Sequence, residues 1–371
     1  MESLQPLLHF LAIPIVQAIL KIAVIVLGFV MALGTLLTLL ERKWMSAVQD
    51  RVGPNRANIP FLGNFKGRGL MHILADGIKS IFKEDTIPHG ADRVLYFIAP
   101  FFGFLPAVVV WAVIPFAGPI GEFTFQITDI NPGLVFIFAI TSLGVYGAVL
   151  GGYASNNKFA LLGAVRTSSQ MLSYEVFLGL ALVGLFMVYG SVQVSTLVEA
   201  QNAYWFGDLI PKWGIFTQPL GFLMFFIAML AEAKRAPFDQ PEGESEIVAG
   251  YFIEYSGMRF SAYMLAEYIS IVTVAGITTT LFLGGYHVPW LHADGFHLLG
   301  NHLPLPVWAV ALLQLGAFVT KIAALCWFII ILRWTLPRFR YDQVMDLGWK
   351  RMLPLSLANM VVTALVILAL E

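Results

Sequence analysis

The sequence has almost no cysteine and little charge. Its single cysteine, Cys326, sits inside an apolar run. One thiol excludes an intrachain disulfide and any cysteine-ligated iron–sulfur cluster held by this chain alone. Charged residues make up 12% of the 371 positions, half of the roughly 25% usual in soluble domains. The net charge of −1 provides no basic field for nucleic acid. No Gly-rich phosphate cradle follows a strand, there is no Walker motif, and no span is rich in histidine. Nicotinamide, flavin and haem sites are therefore not expected, and redox chemistry would have to be shared with partners. No Lys or Arg precedes the first apolar run, so that run reads as a span and not as a signal peptide.

Hydrophobic residues account for 58% of the chain, with a mean hydropathy of +0.78. Eight apolar segments approach the ~20 residues that cross a bilayer. They lie near 15–40, 94–115, 132–153, 171–190, 216–233, 262–285, 307–332 and 354–370. The expected fold is an all-α polytopic membrane protein of eight transmembrane helices, a single domain over 1–371. Nineteen of the 22 Lys and Arg residues fall in segments 41–93, 154–170, 234–261 and 333–353. The alternate loops contain only Lys212, and Lys21 and Lys321 lie within spans. The positive-inside rule makes the basic loops cytoplasmic and puts both termini on the opposite side.

Two cytoplasmic loops are long. In 70–83, Leu70, Ile73, Leu74, Ile78, Ile81 and Phe82 recur at helical spacing with Asp76, Lys79 and Lys83 between them. This predicts an amphipathic interfacial helix. A second is expected over 245–256, carrying Ile247, Val248, Tyr251, Phe252 and Tyr255 and capped by Ser245.

The densest chemistry lies in Ala231–Glu246, where five carboxylates and two bases follow an apolar segment. Glu232 and Arg235 have the i,i+3 spacing of a helical ion pair. If the stretch is helical, Glu242 and Glu246 share a face, with Glu244 between them. Carboxylates so close raise one another's proton affinity, which suits proton carriers; a solvated acidic loop would be favoured in an ordinary protein, but the cost of burial and the neighbouring carboxylates weigh against it here. Glu175 and Glu267 fall within spans and Glu254 lies between them, and such positions are costly unless they face protein or water. Lys321 needs the same explanation, whereas Lys21 can snorkel to the surface. Glu41-Arg42-Lys43 closes the first span, a plausible surface anchor, before the turn Arg51-Val52-Gly53-Pro54-Asn55. His287, His292, His297 and His302 recur every five residues, neither helical nor strand spacing, so no metal site is assigned.

These residues fall into motifs: Glu41-Arg42-Lys43 with Gln49, Arg51 and Gly53-Pro54-Asn55; Ala75-Asp76-Gly77-Ile78-Lys79 with Lys83-Glu84; Tyr153-Ala154-Ser155-Asn156; Ser173-Tyr174-Glu175; Ala231-Glu232 through Glu254-Tyr255; and Leu336-Pro337-Arg338-Phe339-Arg340-Tyr341-Asp342-Gln343 with Trp349-Lys350. In this order the chain resembles the H-type membrane subunits of respiratory complex I (NADH:quinone oxidoreductase), the bacterial counterparts of mitochondrial NADH dehydrogenase subunit 1. The resemblance implies an eight-span bundle in a bacterial plasma membrane, forming the membrane end of a quinone tunnel and the start of an acidic path to proton pumping. It implies ubiquinone or menaquinone as substrate. Its partners would be the bilayer, the cluster-bearing and quinone-site subunits of the peripheral arm, and antiporter-like membrane subunits. Carried over residue by residue, the quinone-cavity candidates are Glu41, Arg42, Arg51, Asp76, Lys79, Arg235 and Asp239. The coupling carboxylates are Glu175, Glu232, Glu242, Glu244, Glu246, Glu254 and Glu267, with Arg166 nearby and Lys321 in support. Some relatives carry a carboxylate in the third span where this chain reads Leu143-Gly144-Val145, so Tyr146 or water would have to serve there. The stretch Arg56–Gly69 is longer and more basic than in mitochondrial relatives. Membrane subunits of energy-converting hydrogenases and formate hydrogenlyases share the acidic path, and gene neighbourhood would tell them apart. A stand-alone transporter would favour repeated halves with broken midplane helices, and a purely structural anchor would not need Glu175 and Glu267.

Overall fold

An apolar segment in lipid must satisfy its own backbone, which a helix does within one stretch of chain. The computed structural model is accordingly helical, and it describes residues 14–58, 67–121, 123–205, 210–298 and 301–370, without the side chains of 14, 244, 245, 298, 301 and 302. Most of the basic stretch 56–69, the chain's N-terminal residues and the side chain of Glu244 therefore lie outside the described residues.

Among the described residues, nine principal helices follow the chain. Helix α1 runs from Pro14–Ile22 through a π-helical stretch, Ala23–Met31, into Ala32–Val48. Helices α2 to α5 are Met71–Phe82, Arg93–Val109, Gly133–Ala154 and Lys158–Tyr189. Helices α6 to α9 are Pro219–Glu232, Gly257–Phe282, Val307–Thr335 and Tyr341–Leu370. Seven of these, all but α2 and α6, are long and apolar enough to cross a membrane. The fifth expected span is the shorter α6. Its 14 residues reach only about 21 Å at helical rise. Pro219 opens it and the charged stretch closes it at Glu232.

Side chains set the helix boundaries. Asp92 Oδ1 accepts from the backbone N–H groups of Val94 and Leu95 and starts α3. Asn157 starts α5 by accepting from Phe159 N–H at 2.8 Å, and Gly190, with φ +68°, ends it. Helix α5 therefore begins well before the hydropathic run at 171–190. Helix α2 forms as its periodicity predicts. The second expected amphipathic helix does not. A four-residue helix, Glu244–Ile247, starts from Gly243 and not from Ser245, and a separate 3₁₀ turn covers Gly250–Phe252. The chain breaks at Val248 (φ +65°) and Gly250 (φ +62°). Tyr251, Phe252 and Tyr255 are buried in the protein instead of lying at an interface.

Helix α7 is the buried centre, packed on α1, α3 and α8. Small residues bring helices close. A Cβ on Gly147 of α4 would lie 2.5 Å from the backbone nitrogen of Gly103 in α3, and one on Gly276 of α7 would meet the Trp111 ring at 2.6 Å. Trp111 Nε1 donates to Thr273 Oγ1 at 2.9 Å, and that hydroxyl donates to the Ala107 carbonyl at 3.0 Å. On the loop side away from the acidic stretch are a two-stranded pair, β1 (Tyr204–Trp205) with β2 (Ile210–Pro211), and a three-stranded antiparallel sheet, β3 (Leu291–His292), β4 (Gly295–Leu298) and β5 (Asn301–Pro304).

Lys321 explains itself as a cap. Its ammonium donates to the carbonyls of Leu283, Gly285 and His287 at 2.7, 2.9 and 2.7 Å, just beyond the C-terminus of α7, and sits 4.3 Å over the Trp213 ring. A helix C-terminus leaves carbonyls without partners and attracts positive charge. Replacing Lys321 with Met should destabilise this end by at least about 1.5–3 kcal/mol, the contribution of a single charge-assisted hydrogen bond out of the three. A fall of several degrees in the thermal inactivation temperature of the membrane-bound protein would register the loss, and an unchanged temperature would refute the capping role.

Candidate functional site

The helix ends at Glu232, and the chain that follows is folded back into the protein. Gln170 of α5 holds it there, its side-chain amide donating to the carbonyls of Ala231 and Phe238, both at 2.8 Å. Gln240 donates to the Phe339 carbonyl, and Phe339 N–H donates to the Pro237 carbonyl at 3.2 Å. These bonds pin the acidic segment between α5 and the chain entering α9.

Arg235 is the centre of what results. It is only 2% exposed. Its Nη1 lies 3.2 Å from Glu41 of α1 and its Nε 2.8 Å from Glu267 of α7, with the guanidinium 4.7 Å from the Tyr268 ring centroid. Its Nη2 has no hydrogen-bond partner among the described residues. Burial by itself would make Arg235 easier to deprotonate. The carboxylates of Glu267 and Glu41 more than offset this and hold it above the ordinary arginine value. Glu41 also receives Arg333 of α8 at 2.6 Å, and Asp239 pairs with Arg338 at 2.6 Å. The expected helical pair between Glu232 and Arg235 does not form: the helix stops before Arg235, and Arg235 turns to α1 and α7.

Glu242 is buried, and its Oε1 has no hydrogen-bond partner among the described residues. Burial, then the charge of Glu267, raises its carboxyl well above the usual range. Glu242 precedes the short helix, so it shares no helical face with Glu246. Glu246 instead points outward and pairs with Arg166. Lys234 stands 4.9 Å over the Tyr251 ring. Burial lowers its ammonium below the ordinary lysine value, against the pull of Glu242, Glu232 and Glu267.

A cavity of about 60 Å³ joins several of these groups, lined among others by Glu232, Lys234, Glu267, Tyr251, Thr141 and Ser270. That is room for a few water molecules. Glu175 is half-buried one helix away. Tyr146 of α4 is 55% exposed and does not line the cavity, whereas Thr141 and Gly144 of the same helix do. Glu254 sits apart, accepting from Asn157 Nδ2 at 2.6 Å, while Tyr96 donates to the Glu254 carbonyl.

The remaining candidates form a second group where α1 meets α2. Asp76 lies between Arg42 at 2.7 Å and Lys79 at 3.6 Å, all three partly exposed. Arg51 donates to Gln49 and is exposed. The site therefore has a buried charged interior and a solvent-accessible collar. Of the four spaced histidines, His287 is buried and both its ring nitrogens lack a regular hydrogen bond among the described residues. Burial, then the Lys321 charge, lowers it to about 4. The His292 and His297 rings meet edge-on at 4.9 Å. No group of three metal-ligating side chains occurs among the described residues.

Neither Arg333 nor Arg338 is marked by the sequence as a partner for a buried carboxylate. They reach Glu41 and Asp239 across 292 and 99 residues, and only Arg338 lies within a motif that points here.

Together these features define a multi-pass helical membrane protein with a buried network of carboxylates and guanidinium groups at one end of its bundle. The chain matches the NADH dehydrogenase family over residues 20–364. It is 45% identical over 348 residues to the H subunit of NADH-quinone oxidoreductase from Thermomicrobium roseum, covering 92% of this chain and 94% of that one. One of the H subunits of the same enzyme from Geobacter metallireducens is 44% identical over 343 residues (91% and 93%), and one from Cytophaga hutchinsonii is 40% identical over 356 (95% and 96%). The chain belongs to the NADH dehydrogenase family, as a membrane subunit of the NADH-quinone oxidoreductase complex.

Removing one partner from a buried ion network costs about 3–5 kcal/mol, because the remaining charges stay buried without compensation. Arg235→Met should therefore prevent accumulation of the protein in the complex. Adding Glu267→Gln to that variant should restore part of it, as judged by immunoblot of the purified complex. Normal accumulation of Arg235→Met would show that the network is not what orders this segment.

Proposed function

We propose that this subunit forms the membrane end of a quinone site and passes the charge created there to a proton path. The observation that carries the reading is Arg235, buried between Glu41 and Glu267 and close to Glu242. Helices α1 and α7 and the folded-back loop meet at that cation, and α8 joins through Arg333 on Glu41. In the eight-span reading, α6 is the short span and ends at this site. The basic loops face the cytoplasm of a bacterium, and α2 lies along that surface. The whole chain acts as one membrane domain.

In the mechanism that follows, quinone arrives from the bilayer past α1 and α2, with its tail on apolar walls. Arg42, Asp76, Lys79 and Arg51 form the collar through which its head passes. Electrons come from an iron–sulfur cluster in a neighbouring subunit, and quinone takes up two electrons and two protons to become quinol. Any negative charge on the head, ahead of proton uptake, acts on Arg235 and Asp239. In a buried site an added negative charge raises the proton affinity of carboxylates several ångströms away. Glu242 is poised for this because burial already favours its neutral form. The cavity then connects Glu267 to Glu232, and Glu175 lies beyond it toward the antiporter-like subunits. Glu246 with Arg166, and Glu254 with Asn157, hold the folded-back segment at its edges. Glu244 completes the acidic run.

Glu232→Gln keeps the side chain's shape and removes its proton affinity. In membranes with the native partners, it should abolish inhibitor-sensitive NADH:quinone reduction and proton pumping while leaving assembly intact. Full activity and pumping in the assembled variant would remove Glu232 from the path. Lack of quinone reduction by the unaltered complex would overturn the quinone-site reading.

A further inference from the structure

At the end of α1 opposite the charged cluster, the protein carries a large apolar slot. Its volume is about 640 Å³, and its walls include Val24 and Phe29 of α1, Phe116 and Phe125 of the loop after α3, and Leu315 and Val319 of α8. Among the described residues it contains one charged group, Lys21. The Lys21 ammonium donates to Thr124 Oγ1 at 3.1 Å and to the Gln126 carbonyl at 3.0 Å, and lies 4.9 Å from the Phe123 ring centroid. An ammonium has three donors, so one remains for a ligand. Among the described residues no carboxylate pairs with it.

We propose that this slot binds one anionic phospholipid, with an acyl chain between α1 and α8 and its phosphate on Lys21. Length agrees: Gln17 to Phe29, both lining the slot, spans roughly 15–18 Å along the helix, close to the ~15 Å depth of one leaflet's hydrocarbon. Charge agrees, because a lone cation at the headgroup end of an apolar groove complements the full negative charge of a phosphate, whereas a neutral quinone offers only carbonyl acceptors. Position separates it from the quinone site, since Lys21 and Arg42 are about 30 Å apart along the helix, a full hydrocarbon thickness. The α1 wall is also the π-helical stretch Ala23–Met31, a form uncommon in helices and frequent where they carry a function. Its wider turn presents Ile25 and Phe29 to the slot. The inference needs α1 to span the bilayer and is independent of the quinone reading.

The test uses the intact complex in phosphatidylcholine nanodiscs containing a photoactivatable phosphatidylglycerol, with cross-links mapped by mass spectrometry. Labelling is expected on the peptides carrying Val24, Phe125 and Leu315. It should be competed by unlabelled phosphatidylglycerol and not by phosphatidylcholine or millimolar inorganic phosphate. Lys21→Gln should cut it about tenfold, the effect of one charge-assisted hydrogen bond, and Lys21→Arg should retain it. Leu315→Trp, which fills the slot and leaves the charge, should abolish it. Quinone reductase activity, read in parallel, should persist in every variant, so failure of the lipid site and failure of the quinone reading are separable. The proposal falls if a zwitterionic probe labels equally, if phosphate displaces the probe, if Lys21→Gln changes nothing, or if these peptides are not labelled.

Discussion

One buried cation organises this protein. Arg235 has lost its water, and the carboxylates of Glu41 and Glu267 replace it. A guanidinium placed so deep is tolerable only when several oxygens surround it, and its planar, permanently charged fork suits that role better than a lysine. The three helices that carry the network can therefore meet in few ways. Glu41 holds α1 and, through Arg333, draws in α8. Glu267 ties in α7. The loop after α6 folds inward because its charges are needed there, and Gln170 and Gln240 fasten it with backbone hydrogen bonds.

That constraint also shapes α6. By ending at Glu232, α6 delivers its last carboxylate to the internal cavity and the next residues to the ion network. The same shortness brings Lys234 into the protein, beside Tyr251. Proton affinities in such a site respond to any new charge, because little solvent is present to screen it. The far end of the bundle is built differently. There Lys321 caps backbone carbonyls, glycine and tryptophan pack helix on helix, and Lys21 overlooks an apolar slot. One end is adapted to charge and the other to packing and lipid.

Much of this is legible in the residues. Hydropathic runs locate every long helix, because a membrane segment must be apolar over a known length. Asp76, Lys79 and the apolar positions around them outline α2 through periodicity alone. The cluster after Glu232 stands out because charge next to an apolar run is unusual. The segment 245–256 misleads for a physical reason. Aromatic and apolar residues in a loop look alike whether they face lipid or protein, and here Tyr251, Phe252 and Tyr255 face protein. Tyr146 is likewise suggested by type and not by direction, and its helix turns Thr141 and Gly144 to the cavity instead.

The sequence by itself determined the class of protein, the approximate extent of its apolar segments, the loops in which basic charge collects, and the family. These are local or compositional properties, readable within a window of residues. The tertiary structure decided which charges meet. Glu232 and Arg235 are close in the chain and do not pair, whereas Glu41 and Arg333 are 292 residues apart and do. Helix termination and interhelical packing set those distances, and neither is encoded in the spacing of charges along the chain.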